Sequence, residues 1–333
     1  MKESKKAIII ASIFLVIVIG AVFISNIKNQ ESDETIRVGW QTAWSVQGQL
    51  IQTLNNTDIL KNNNTNAEFF GFNYGGPLNE AALAGKIDVS FVGDVPAVIL
   101  LSKSNDWIIV GKFINQRVTI IVPKDSEIKT ISDLEEKTIA VPFGSAPHLK
   151  MLKSLKENGL ETGKNTELVN LDITEQIAVI NAGNSVDWGE ISAFGSWDPT
   201  IAMFEQNKKA RILESFPAIG VIVMSKEFIS KHPETAKQFL KSLKEAYYYY
   251  AQNQEQANEW YIKNTNIQIE QELLEVINSY EPNLKAKTRD EINLELNESE
   301  IKLLDDLADV ALENKIIDKK PDFKEKIITG LIE

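Results

Sequence analysis

The 333-residue chain contains no cysteine. That excludes a disulfide framework, a thiolate metal site and lipidation at a leader cysteine. Histidine is scarce too: His148 and His232 are the only two, far apart in sequence. A nitrogen–sulfur metal centre is therefore not expected. Glu298, Glu300, Asp305 and Asp306 read as a solvated helix face rather than an oxygen cage, so neither metal nor cofactor is predicted. Basic residues are outnumbered, 35 Lys and Arg against 47 Asp and Glu, for a net charge of −12. There is no basic stripe and no basic–aromatic interleaving, which argues against a nucleic-acid partner. A small anionic guest stays open, because local dipoles and hydrogen bonds decide a buried site. No solenoid-type repeat is present.

What is present is an ordinary globular composition, 43% hydrophobic and 25% charged, in a chain long enough for two domains. The N-terminus opens with Lys2, Lys5 and Lys6, and the uncharged run Ala7 to Ile27 follows. That run exceeds the apolar stretch of a signal peptide and just spans a hydrocarbon core of about 30 Å. The basic start predicts a cytoplasmic end, with everything after Lys28 outside. Ala21-Val22-Phe23 is a poor cleavage site. One uncleaved membrane-spanning anchor is therefore favoured, with the body extracytoplasmic at the cell membrane. Removal as a signal, leaving a secreted or periplasmic body, is the alternative. Residues 29–34 read as a polar linker.

The body repeats one local event four times: an apolar strand-like run stops at a small or acidic residue and a helix begins. The junctions are Gly75-Gly76-Pro77-Leu78-Asn79, Gly93-Asp94-Val95-Pro96-Ala97, Gly144-Ser145-Ala146-Pro147-His148 and Ser196-Trp197-Asp198-Pro199-Thr200. Each puts Gly, Ser or Asp at an N-cap and Pro in the first turn, where a missing N–H costs nothing. A helix starting at a strand end points free N–H groups and a positive dipole end into the crevice beside the sheet. Four aimed at one spot would hold a small anion.

Strands are predicted at 36–40, 67–73, 87–92, 107–113, 118–123, 137–143, 166–171, 190–197 and 219–225, alternating with helices. This rhythm predicts an α/β fold of parallel, doubly wound sheets. From Pro233 the chain reads as helical, over 233–263, 270–279, 298–313 and 321–332. Pro123 and Pro217 sit where the chain would cross between two lobes. Lobe I is then 35–122 with 218–333, lobe II is 123–217, and the two crossings form a hinge. Ligand sites in open α/β sheets lie at the carboxyl ends of strands, so the cleft between lobes is the expected site.

The junctions resemble, in order, those of the nitrate/sulfonate/taurine family of ABC-transporter solute-binding proteins, aliphatic sulfonate-binding members included. The likeness runs from Ile36-Arg-Val-Gly-Trp-Gln41 through Gly76-Pro77 with Glu80-Ala-Ala-Leu-Ala-Gly85, and Ile87-Asp88 with Phe91-Val-Gly-Asp-Val-Pro96. It continues through Ile121-Val-Pro-Lys-Asp-Ser126 and Ile131-Ser-Asp-Leu134, then Ile139-Ala-Val with Gly144-Ser-Ala-Pro-His148, and Trp197-Asp-Pro199. The resemblance implies a periplasmic-binding-protein fold that closes on a small anionic or zwitterionic solute and delivers it to an ABC permease, as a monomer. Carried over, the ligand-facing positions are Gln41, Gly76, Pro77, Gly93, Asp94, Val95, Pro96, Gly144, Ser145, His148, Trp197 and Asp198. Trp44 joins them as a candidate apolar wall, as does Trp197. The chain departs from the family pattern at Ala146-Pro147, at the inserted-looking 184–188 and at Ser192.

Asp94 and Asp198 keep two readings, as helix caps or as acids meeting a cationic end of the guest; Glu190 raises the same question. Ser145 and His148 lie three apart, but no third orienting acid accompanies them, so a nucleophilic pair is not expected. Tyr247 to Tyr250 read as part core, part surface. Two alternatives to a transport receptor remain: an enzyme of cofactor-precursor metabolism on the same fold, and a ligand-sensing receptor.

Overall fold

The computed structural model describes residues 35–265 and 269–331. Its strands are β1 (Thr35–Gln41), β2 (Asn66–Phe72), β3 (Val89–Gly93), β4 (Trp107–Pro123), β5 (Thr138–Val141), β6 (Glu167–Asn170), β7 (Ile191–Trp197) and β8 (Ala210–Ser225). The helices are α1 (Ser45–Asn56), α2 (Ile59–Asn62), α3 (Gly75–Leu83), α4 (Asp94–Lys103), α5 (Ala146–Glu157), α6 (Ile173–Ala182) and α7 (Thr200–Gln206). They continue with α8 (Lys226–Lys231), α9 (Pro233–Gln252), α10 (Gln254–Thr265), α11 (Gln271–Asn278), α12 (Glu298–Glu313) and α13 (Phe323–Lys326).

All eight strands join one sheet in the order β2-β1-β3-β8-β4-β7-β5-β6. The two flanks are parallel, as the alternation of strands and helices predicts. The middle is not: β3–β8, β8–β4 and β4–β7 are all antiparallel. The expectation of wholly parallel sheets is corrected there. The cause is two strands far longer than predicted. The separate segments 107–113 and 118–123 are one 17-residue strand, and 219–225 is the end of a 16-residue one. The polar triplet Asn115-Gln116-Arg117 interrupts the apolar pattern without interrupting the ladder, which runs from Trp107↔Ser225 to Pro123↔Ala210. Pro217, lacking an N–H, sits opposite Arg117, where β3 no longer pairs with β8. The β4–β8 ribbon carries β3 against Gly220–Met224 and β7 against Val118–Ile121, so each flank hangs on a different half of it.

Core packing follows the strand period. At the β5–β7 end, Ile120, Ile139 and Ala193 pack in one cluster with Met151 and Leu155 of α5. Their chain neighbours Ile121, Ala140 and Phe194 pack on the opposite face with Ile180, Ile201 and Phe204. Successive residues thus serve opposite faces of a sheet covered on both sides. A larger cluster covers the β1–β3 end, built on α1, α4, α9 and α12. Tyr247 and Tyr250, on one face of α9, are wholly buried, while Tyr248 and Tyr249 are half-buried. Burial pushes both buried phenols well above their ordinary range.

Among the described residues no helix is long and apolar enough to cross a membrane. The span expected over Ala7 to Ile27 lies outside the described residues.

Candidate functional site

Six strands release the chain at their carboxyl ends directly or nearly directly into helices: β1 into α1, β2 into α3, β3 into α4, β5 into α5, β6 into α6 and β7 into α7. The four junctions singled out by sequence are all among them, though their caps differ in detail. Tyr74, not glycine, caps α3, so Gly76 and Pro77 lie inside its first turn. Gly93 caps α4 and places Pro96 third in the helix. Ser145 caps α5, with Pro147 in the first turn. The fourth expectation needs correction: Pro199 stands in the cap position of α7 rather than in its first turn. Asp198, one residue upstream, supplies the acceptor, taking the Ala202 N–H at 3.2 Å.

These junctions touch one another across the sheet. Asn79 donates to the Pro96 carbonyl at 2.7 Å, tying α3 to α4. The Gly93 N–H donates to Gln41 Oε1 at 3.2 Å, tying α4 to the end of β1. Lys150 of α5 reaches Asp94 of α4 at 3.3 Å. A methyl group added at Gly195 would lie 2.9 Å from Pro147 Cβ, so β7 packs tightly on α5. The Trp197 indole N–H donates to the Ala43 carbonyl at 3.3 Å and closes the circuit back to the β1–α1 junction. Elements from both flanks therefore meet along one crevice at the carboxyl ends of the strands, where open α/β sheets bind ligands.

The polar groups are largely committed. Asp94 is wholly buried: Oδ1 accepts the Val95 N–H at 2.8 Å, and Oδ2 faces Lys150 and, at 3.5 Å, the Ile219 N–H. Lys150 is buried as well and donates to the Pro217 carbonyl, so it joins α4, α5 and β8. Asp198 receives a two-pronged contact from Arg117, Nε at 2.8 Å and Nη2 at 2.9 Å, and Arg117 also holds Glu205 at 3.0 Å. Burial opposes the Arg117 charge, but the Asp198 hydrogen bonds and the Asp198 and Glu205 carboxylates raise its pKa overall. The Tyr280 ring lies 5.3 Å from the guanidinium.

Ser145 and His148 are near the crevice in roles the sequence did not suggest. The Ser145 hydroxyl donates to the Pro142 carbonyl at 2.5 Å instead of accepting from its helix, so its proton is already used. His148 Nδ1 accepts the Gly144 N–H at 3.1 Å, and the ring stacks on Phe143 at 4.7 Å. Burial pushes the imidazole down to about 4, which makes it a neutral acceptor, not a cation. Gly144, at φ +76°, occupies the left-handed region that lets the chain turn back to present that N–H.

Of the remaining predicted residues, Gln41, Trp44, Val95 and Pro96 are buried, and Gly76 and Pro77 half-buried. Trp44 borders a cavity of about 10 Å³ together with Gln116, Arg117 and Asp198, which is the size of one water. Its indole N–H is buried without a partner among the described residues, as are both amide atoms of Gln116. Glu190 is exposed and precedes β7, at the opposite end of that strand from Trp197, so it lies away from the crevice. Beside the small cavity, a groove of about 530 Å³ runs between Thr42, Ala43 and Asn73 on one side and α6 and α7 on the other.

Sequence reasoning missed Lys150, Arg117 and Gln116. Lys150 carried a faint signal, since it lies four residues after buried Ala146 and shares its helix face. Arg117 and Gln116 belong to the polar interruption of β4, which read as a loop.

Comparison with known proteins agrees with this geometry. A family model described as NMT1/THI5 like matches residues 75–257. A taurine-binding periplasmic protein of Escherichia coli strain K12 is 28% identical over 231 residues, covering 66% of this chain and 67% of that protein. The alkanesulfonate-binding protein SsuA of Xanthomonas axonopodis pv. citri, solved with MOPS bound, superposes with a TM-score of 0.71 at 20% identity, over 89% of this chain and 98% of that one. SsuA of Escherichia coli, a periplasmic aliphatic sulphonate binding protein, superposes with a TM-score of 0.70 at 19% identity, over 89% and 92%. These likenesses establish a mixed α/β fold of the periplasmic-binding-protein type, here on a single eight-stranded sheet. With the family model spanning more than half of its length, the chain belongs to the NMT1/THI5-like family.

Proposed function

We propose that this protein is the extracytoplasmic solute-binding component of an ABC importer. Its guest is a small solute bearing an oxyanion, of the sulfonate, taurine or nitrate class. In this reading lobe I (35–122 with 218–333) and lobe II (123–217) close on the solute by bending at the waist of the β4–β8 ribbon beside Arg117 and Pro217, so that the end of β4 from Val118, which carries β7, moves with lobe II; the closed form is offered to a membrane permease. The N-terminal segment would tether the body at the membrane. The observation that carries the proposal is the meeting of helix starts from both flanks, linked across the crevice by Lys150–Asp94 and Trp197–Ala43. The unpartnered Trp44 indole N–H is a donor of the kind a sulfonate head takes as a charge-assisted hydrogen bond, beside helix starts whose positive dipole ends favour an anion. Lys150 neutralises Asp94, so the floor does not repel an anion.

The same geometry disfavours turnover. The Ser145 proton is held by Pro142, and His148 Nδ1 is occupied by the Gly144 N–H, so neither group is set to activate the other.

The test is a thermal-shift panel on the purified whole chain with taurine, short alkanesulfonates, nitrate and pyrimidine vitamin precursors. A guest at a hundred times its Kd adds about 2.7 kcal/mol, enough to move the melting point by several degrees. We expect taurine or a short alkanesulfonate to give that shift and to be recovered chemically unchanged. Trp197→Ala, which removes the cross-crevice bond to Ala43, is expected to weaken binding at least tenfold. No response to any oxyanion, or conversion of the guest on incubation, would overturn the proposal.

A further inference from the structure

We propose that a pocket at the amino ends of β1, β3 and β4 is the seat of the chain's own acidic segment 29–34. Strand pairing sets Val38, Val89, Met224 and Ile108 in one row across the sheet. Their chain neighbours Arg37, Asp88, Ser225 and Trp107 stand one step further from the crevice and line a pocket of about 440 Å³. Two of its acids already have a cation. Arg37 holds Asp88 through Nε at 2.9 Å and Nη2 at 2.6 Å, and Lys231 holds Glu227 at 2.5 Å. The third, Asp106, lies close in sequence to Ser104, whose carbonyl takes the buried Lys326 ammonium at 2.8 Å. Lys86, Lys103 and Lys226 are exposed, and each is next in sequence to a lining residue. Cations therefore outnumber acids around this pocket, in a chain whose net charge is −12.

The segment that leads into this end of the sheet carries the opposite charge. Residues 29–34 read Asn-Gln-Glu-Ser-Asp-Glu and run straight into β1, with acids at Glu31, Asp33 and Glu34. Extended chain covers about 3.5 Å per residue, so Glu34 stays within about 10 Å of Arg37 and Glu31 within about 20 Å. Those are distances at which exposed charges still attract at low salt. Pocket and crevice lie at opposite ends of β1, with Arg37 near one and Gln41 at the other. With the N-terminal segment in the membrane, a seated linker holds the crevice away from the bilayer, and its release lets the body turn towards a permease. That consequence rests on the tether proposed above; the seating itself depends on neither the tether nor the guest.

The absence of cysteine makes the test direct, because Ser32→Cys places a single spin label in the segment. The whole chain in detergent micelles is read by its spectrum, as the ratio of slow to fast label. That ratio is expected to fall about tenfold between about 50 mM and about 1 M salt, as a few exposed ion pairs are screened. Lys86→Glu, Lys103→Glu and Lys226→Glu together should release the label to the same extent at low salt. Adding Glu31→Lys, Asp33→Lys and Glu34→Lys to that variant should restore the slow component. Micelle contact slows the label alike in every variant, so the comparison between variants carries the result. The substituted lysines are exposed, and recovery in the charge-swapped chain shows that the fold survives. A label that is fast in the wild type, or slow but indifferent to salt and to charge reversal, would overturn the seating. The thermal response to taurine and alkanesulfonates, measured on the same samples, is expected to be unchanged by these substitutions, so the solute-binding reading stands or falls separately.

Discussion

Asp94→Ala is expected to lower the unfolding free energy by about 3–5 kcal/mol, the range for removing one partner of a buried ion pair. Asp94 has no exposed surface and Lys150 has 5%, so the orphaned ammonium would keep only the Pro217 carbonyl and no counter-charge. The cost comes from that stranded charge more than from the pair's attraction. The double variant Asp94→Leu with Lys150→Met removes both charges at similar volume, and should recover most of the loss. Urea unfolding of the wild type, Asp94→Ala and the double variant checks this. An Asp94→Ala protein within about 1 kcal/mol of wild type would mean that the two side chains are not desolvated together. Because the pair links α4 to α5 and to β8, its loss should also loosen the two sides of the crevice.

That pair shows where reading the sequence stops. The junctions were legible because helix starts are written locally: Gly93 or Ser145 followed by Pro within the first turn specifies a cap whatever lies elsewhere. The flanking parallel strands were legible for the same reason, since strand, helix and strand succeed each other at regular spacing. What each acidic residue meets was not legible. Asp94 and Lys150 are 56 residues apart, and Arg117 and Asp198 are 81 apart. Their pairing depends on the strand order of the finished sheet, which no local pattern states. The antiparallel centre was hidden similarly. Asn115-Gln116-Arg117 breaks the apolar run where β4 passes from one flank to the other, and polarity there suggested a loop between two short strands. Ser145 illustrates a finer limit: its place as a cap was correct, but the turn through Gly144 brings the Pro142 carbonyl within 2.5 Å of its hydroxyl.

The pH dependence of stability should carry a distinct contribution from His148. Its ordinary pKa of 6.5 falls to about 4 in the folded protein because burial penalises the imidazolium. Between those values the unfolded chain binds a proton that the folded chain refuses, so stability must fall as the pH drops through this window. The difference corresponds to about 3 kcal/mol, lost progressively from pH 6.5 to about 4, with no further loss from this group below that. The geometry supplies a second reason for the same sign. Nδ1 accepts the Gly144 N–H, and a protonated ring would turn that acceptor into a donor facing a donor. His148→Gln keeps a hydrogen-bonding side chain without a titrating proton. Unfolding free energies of the two proteins, measured across pH 4 to 8, should differ by an amount that changes by about 3 kcal/mol over the window. The carboxylates that also drive acid unfolding are common to both proteins and cancel in that difference. Parallel curves would show that the imidazole titrates alike in the folded and unfolded chains. The buried acceptor role assigned to it at the start of α5 would then be wrong.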